Sequence, residues 1–270
     1  MEAADALQPL SMLPAQSREK RPETNHYFYD PALFPHLDVL TQHAELILEE
    51  LRAALGSAIV SAESRNGAEL SGVWCEDKQF DDFYQRTKNQ QGWLHWWSVN
   101  NPDRPNNDWT IFGLMNNGQY MTENCALCPQ TTRLLEQVPG IRVAGFSRIQ
   151  PRSGIDTHKG FTGRMYGALA YHLGLLIPSS GASLVCGPEV HHWRKAGEVI
   201  VFDDTYPHSA WNDSDSERII LYIDFKVPEE VVPRLPPLNL SEFVSESDSE
   251  DEEENQKLQQ WLNLVKDKHS

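Results

Sequence analysis

The sequence predicts a mainly β protein, a double-stranded β-helix (jelly roll) with N-terminal helices packed on it. Three observations carry that reading. Short apolar runs follow one another without a helical pattern between them: Arg142–Gln150, Leu169–Ile177, Ala182–Cys186, Glu189–Arg194, Glu198–Phe202 and Arg218–Lys226. Short strands at close spacing build antiparallel sandwiches, since parallel neighbours need long crossovers. Turn chemistry separates two of them at Pro178-Ser179-Ser180-Gly181, and polar residues, histidines and an arginine among them, recur at strand ends.

The elements follow in chain order. Residues 1–24 mix Ala, Gln, Ser and Pro without period and predict a flexible arm. Tyr27-Phe28-Tyr29-Asp30-Pro31 and Phe34-Pro35 form an aromatic lead-in to the core. From His36 to about Ala58, Leu37, Leu40, Ala44, Ile47, Leu51 and Leu55 share one face of a helix, with Glu45, Glu49 and Arg52 outside. The stretch from Trp74 to Trp109 is aromatic and loop-rich, with a strand and turns around Trp93 to Asp108. A second helix is predicted over Pro129 to Val138, with Pro129 in its first turn and Pro139-Gly140 as its stop. The six β runs come next, and the prolines of Pro228 to Pro237 end the regular structure. Residues 25–237 thus form a single domain with its jelly-roll core at about 141–227. An acidic tail at 238–256 cannot bury apolar surface and is expected to be disordered. Leu258, Trp261, Leu262 and Val265 mark a short amphipathic helix at 257–270.

Composition narrows the function. The chain has 270 residues, 40% of them hydrophobic, enough for a sizeable core. Its formal charge is −16, and eight acidic residues between Glu242 and Glu254, with no basic one, supply half of it. A nucleic-acid partner would need a basic face, so none is expected; the tail suits a basic partner instead. No apolar run reaches the length of a membrane span, and no signal core follows basic residues, so the expectation is a cytoplasmic protein without a membrane anchor. Four cysteines are too few for a disulfide scaffold, and Cys125-Ala-Leu-Cys128 reads as ordinary buried thiols.

The histidines carry the chemistry. An iron that must accept a bidentate cosubstrate and dioxygen needs few protein ligands and several open positions, commonly two histidines and a carboxylate on one face of an octahedron. His158 lies between predicted strands, and His208 lies between Phe202 and Arg218. Arg218 opens an apolar strand, where it needs an anion, and its planar fork suits a carboxylate. Any one of these histidines would more simply be a hydrogen-bonded loop or core residue. Taken together, His158, His172, His208 and Arg218 point to a site.

The chain resembles the aspartyl/asparaginyl β-hydroxylase family of Fe(II)- and 2-oxoglutarate-dependent oxygenases. The resemblance is carried by Phe146-Ser147, Pro151, His158-Lys159-Gly160, His172-Leu173-Gly174-Leu175, Ile177-Pro178, Trp193, Gly197, Phe202-Asp203-Asp204, His208, Trp211 and Arg218, and upstream by Glu123-Asn124-Cys125-Ala126, Cys128-Pro129 and Leu134-Leu135-Glu136. It implies Fe(II) held by His158 and His208, with Gly160 standing where the ordinary triad has its carboxylate. It also implies that Arg218 and Ser147 hold the distal carboxylate of 2-oxoglutarate, that His172 helps to hold the carboxylate next to the keto group, and that dioxygen is the oxidant. An aspartate at position 160 is expected to be tolerated as an added ligand. Substrate is the weaker side. The family's hydroxylases of acidic residues place arginines just before His-Leu-Gly-Leu, where this chain has Gly167-Ala168-Leu169-Ala170-Tyr171, leaving Arg164 as the nearest cation. The implied function is β-hydroxylation of an Asp or Asn residue in a peptide or protein. The alternatives are hydroxylation of a free amino acid or other small molecule, or a metal-binding jelly roll that binds a partner without turnover. Lipid hydroxylation, as in the family's lipid A branch, would call for a membrane-anchoring segment.

Overall fold

The computed structural model describes residues 26–57, 59–60, 92–97, 105–160 and 167–236. They belong to one compact unit, His26–Pro236. The predicted N-terminal arm, the acidic tail, the C-terminal helix and Arg164 lie outside the described residues.

Thirteen strands appear among the described residues: β1 Phe28–Tyr29, β2 Ile59–Val60, β3 Trp93–Trp97, β4 Pro105–Asn116, β5 Gln119–Tyr120, β6 Ile141–Ile149, β7 Ser153–His158, β8 Ala168–Leu176, β9 Ala182–Cys186, β10 Glu189–His192, β11 Val199–Phe202, β12 His208–Asn212 and β13 Arg218–Lys226. They form a major sheet in the order β1-β11-β8-β13-β6-β4-β3-β2, with β5 on β4, and a minor sheet in the order β10-β9-β12-β7. All pairings are antiparallel except β2 with β3. This is the predicted mainly β, jelly-roll arrangement of two sheets.

Burial patterns explain how the sheets stack. β8 is buried at eight of nine positions, so both of its faces are covered. β9 alternates buried and half-buried, so only one face is. The odd positions Leu169, Tyr171, Leu173 and Leu175 of β8, with Ile219, Leu221, Ile223 and Phe225 of β13, join Leu40, Ile47 and Leu51 of the helices in the core. Successive side chains of a strand point to opposite faces, so the even positions meet the minor sheet. Those positions carry His172 and Arg218.

The helical layer differs from expectation in detail. The predicted helix from His36 to Ala58 is broken at His43 into α1 (Asp38–Gln42) and α2 (Ala44–Leu55), after a 3-10 turn at Pro35–Leu37. The His43 ring bonds back to the carbonyl of Val39 at 2.8 Å, satisfying a group freed by the break. An unforeseen short helix, α3 (Thr122–Leu127), precedes α4 (Pro129–Leu135), which ends before Val138. The aromatic lead-in docks as β1, pairing Phe28 with Phe202 and Tyr29 with Val201. Cys125 and Cys128 are buried free thiols bonded to the carbonyls of Leu114 and Glu50. No helix among the described residues is long and apolar enough to cross a membrane.

Candidate active site

Both histidine-bearing segments are strands of the minor sheet: His158, which reads as a residue between strands, ends β7, and His208 begins β12. Both are short, and β7 has little apolar content: Ile155 is the single aliphatic residue in Ser153–His158. Ile155 pairs with Ala210, and His158 with His208. Three residues separate the first members of these pairs and two the second. The β-bulge that absorbs the difference turns His158 to the same inner face as Ile155.

The ring centroids of His158 and His208 are 4.1 Å apart. Each ring is fixed by the carbonyl two residues before it: His158 Nδ1 to Asp156 at 2.8 Å, and His208 Nδ1 to Tyr206 at 2.9 Å. A carbonyl only accepts, so both Nδ1 atoms carry the proton and both Nε2 atoms keep a lone pair, the form in which histidine ligates a metal. Burial lowers the pKa of both rings. For His208 it falls to about 3, with His158 the next largest cause. Both are therefore neutral near pH 7.

The segment ahead of His208 is held from three directions. Asp203 Oδ1 accepts from the backbone and the hydroxyl of Thr205. Asp203 N donates to the Tyr27 carbonyl at 3.0 Å, and Gly187 N to the Pro207 carbonyl at 2.9 Å. Gly187 has φ +55°, and a side chain there would meet the Tyr27 ring.

Gly160 lies two residues past His158, with its N–H bonded to the Asp204 carbonyl at 2.6 Å. A Cβ at Gly160 would overlap the Asp204 carboxylate. An aspartate at 160 therefore requires Asp204 to shift, because the space beside Gly160 already holds a carboxylate. Sequence reasoning quoted Asp204 only as part of a motif and did not place it in the site.

The major sheet brings the remaining candidates to its inner face in cross-strand rows. One row is Trp109, Ile149 and Arg218; the next is Ile111, Ser147, Ile220 and Gly174; the third includes Gly145, Tyr222, His172 and Ile200. Arg218 is 1% exposed, its pKa is lowered to about 9 by burial, and its Nη2 has no hydrogen-bond partner among the described residues. His172 is also buried, and neither of its ring nitrogens has a hydrogen-bond partner among the described residues. Burial first, and then Arg218, push its pKa well down. Ser147 accepts the Trp109 indole N–H at 3.1 Å, which leaves its own O–H to donate.

All five predicted site residues therefore face the space between the sheets. Phe202 links them, its ring 4.9 Å from His172 and 5.4 Å from His208. Trp109, read from sequence as one of an aromatic core group, sits 6.2 Å from the His158 ring.

A buried cation with an unmet donor calls for an anion, and paired imidazole lone pairs suit a metal. The donor set fits Fe(II) with a carboxylate-bearing cosubstrate.

Comparison with known proteins bears on the same residues. Residues 65–228, more than half of the chain, match the family model for aspartyl/asparaginyl beta-hydroxylase. The ornithine lipid ester-linked acyl 2-hydroxylase of Rhizobium tropici is 34% identical over 122 residues, 44% of this chain and 42% of that protein. Human aspartyl/asparaginyl beta-hydroxylase is 35% identical over 131 residues, 47% of this chain and 17% of that protein. The chain thus spans less than half the length of either relative. A solved 2OG-Fe(II) oxygenase family oxidoreductase from Burkholderia pseudomallei shows a slight likeness, with a TM-score of 0.33 and 16% identity over 56% of this chain and 92% of that one. The family match runs through both histidine strands, the His172 strand and Arg218, and on that match the chain belongs to the aspartyl/asparaginyl beta-hydroxylase family.

Proposed function

We propose that this protein is an Fe(II)- and 2-oxoglutarate-dependent hydroxylase that β-hydroxylates an Asp or Asn residue in a peptide or protein. One observation carries the reading: two imidazoles, His208 buried and His158 half-buried, meet across β7 and β12, and each is fixed through Nδ1 with Nε2 left over. His158 and His208 would hold the metal. Arg218 would pair with the distal carboxylate of 2-oxoglutarate, Ser147 would donate its O–H to the same group, and His172 would steady the other carboxylate. When bound, Fe(II) with 2-oxoglutarate and dioxygen supplies the oxidation, in which one oxygen atom enters a substrate C–H bond and 2-oxoglutarate leaves as succinate and carbon dioxide. The protein contributes orientation and a dry interior. Phe202 and Trp109 wall the two ligands, and the jelly-roll interior excludes water around Arg218.

The test is succinate formation from 2-oxoglutarate and iron across a panel of Asp- and Asn-containing peptides, free amino acids and an acyl-chain lipid, with product mass as a second readout. A mass gain of one oxygen on a peptide supports the reading. Turnover confined to a free amino acid or to the lipid replaces the substrate while keeping the chemistry. Metal binding without succinate from any member of the panel makes the protein a metal-binding jelly roll without turnover.

A further inference from the structure

Trp193 spans the two sheets beside Arg218. Its backbone N–H donates to the Ala182 carbonyl of the minor sheet at 2.9 Å. Its ring reaches the major sheet, where the indole edge lies 3.1 Å from the place of a Cβ on Gly174. Gly174 belongs to the inner face of β8, so the missing side chain there makes room for the indole. The Arg218 guanidinium carbon is 5.5 Å from the ring centroid on one side. The His191 ring meets the indole edge-on at 5.5 Å.

Trp193 is 2% exposed, and its indole N–H has no hydrogen-bond partner among the described residues. An indole can only donate, and a buried donor is seldom left unmet. Arg218 Nη2 and both nitrogens of His172 share that condition in the same interior. The cation, the imidazole and the indole thus leave buried donors to be met in the interior around Arg218. Cation stacking on the indole holds the Arg218 fork in place without using any of its donors.

We propose that Trp193 is a binding residue for a dicarboxylate held between the sheets, donating its indole N–H to a ligand oxygen while its ring orients Arg218. This rests on the reading that 2-oxoglutarate is the cosubstrate. It adds a donor from β10's end to those supplied by the major sheet, and so ties cosubstrate binding to the spacing of the two sheets.

Trp193→Phe keeps an aromatic ring beside Arg218 but removes the N–H together with three ring atoms of the indole. The experiment uses the Zn(II)-substituted protein, which is diamagnetic and redox-inert. Calorimetric titration with 2-oxoglutarate should show affinity falling by roughly tenfold in Trp193→Phe, the share of one hydrogen bond to a charged acceptor. The melting temperature of the free protein should fall, because the smaller ring leaves a cavity beside Gly174. In wild type, the Trp193 indole ¹H–¹⁵N resonance should shift on saturation with 2-oxoglutarate. Equal affinity of variant and wild type, or a resonance that does not move at saturation, overturns the proposal. The resonance alone decides the matter should Trp193→Phe not fold. Failure of wild type to bind 2-oxoglutarate overturns the cosubstrate reading itself, a result distinct from binding without help from Trp193.

Discussion

His158 and His208, the proposed ligands, share one local device, a carbonyl two residues upstream that takes the Nδ1 proton. The device fixes both tautomer and ring plane before any metal arrives, and loss of such support alone costs roughly 10–100-fold in metal affinity. Loss of a ring from a two-histidine site should cost more. His158→Ala and His208→Ala should each weaken Co(II) binding by over about a hundredfold, read from its visible absorption, with the far-ultraviolet circular dichroism retained. Near-wild-type binding by either variant would remove that histidine from the site. Arg218→Ala should weaken 2-oxoglutarate binding about tenfold to a hundredfold with little change in metal affinity, since a charge-assisted pair is worth roughly 1.5–3 kcal/mol. Arg218→Lys should recover part of it, because an ammonium cannot form the fork. Gly160→Asp should lose affinity for Co(II), since its side chain competes with Asp204 for one volume. Affinity equal to or above wild type would show that Asp204 moves aside freely.

Among the elements, α2 and α4 are joined by a contact that no local pattern announces. Glu50 of α2 accepts from the backbone N–H groups of Gln130 and Thr131 and from the Thr131 hydroxyl, at 2.7, 2.6 and 2.7 Å. A carboxylate from 80 residues away thus caps the first turn of α4, where free N–H groups and the helix dipole favour negative charge. Glu50→Ala should cost about 2 kcal/mol. For a domain of this size that lowers Tm by roughly 4–8 °C in a thermal melt, with metal affinity unchanged. An unaltered Tm would mean that water replaces the cap at no cost. The same contrast between local and distant causes sets what was legible in the sequence. Strands β6, β8 and β13 are apolar on both faces and were read to within a residue or two. Strand β7 is short and carries one aliphatic side chain, so Ser153-Gly154-Ile155-Asp156-Thr157-His158 reads as a turn although it is the strand that ends on a proposed ligand. Arg218 was legible because a guanidinium in an apolar run needs an anion. The place of Asp204 against Gly160 was not, since a gap of 44 positions is closed by the pairing of β7 with β12.

At the scale of the whole molecule, the site is stabilised by the jelly roll and in turn makes it sensitive to acid. Burial holds His158, His172 and His208 in their neutral forms, with folded pKa values below the ordinary 6.5, about 3 for His208. The unfolded chain takes up protons at 6.5 that the folded protein refuses. The contribution to stability is therefore complete above about pH 6.5 and falls as pH drops from there toward the folded pKa values. The slope is up to about 1.4 kcal/mol per pH unit for each histidine. His208 alone, with a folded pKa of about 3, can remove about 2 kcal/mol by pH 5, and His158 and His172 act in the same direction, while most carboxylates titrate lower. Urea unfolding at pH 7.5, 6.5, 5.8 and 5.0 should show a flat upper limb followed by a steep loss. His172→Gln, which deletes one of these groups, should shallow that loss. Saturating Zn(II) should delay the onset to lower pH, because a metal bound at Nε2 competes with the proton there. A wild-type protein equally stable at pH 7.5 and 5.0 would mean that these rings take up protons in the folded state, and would contradict the dry, neutral interior on which the ligand assignment depends.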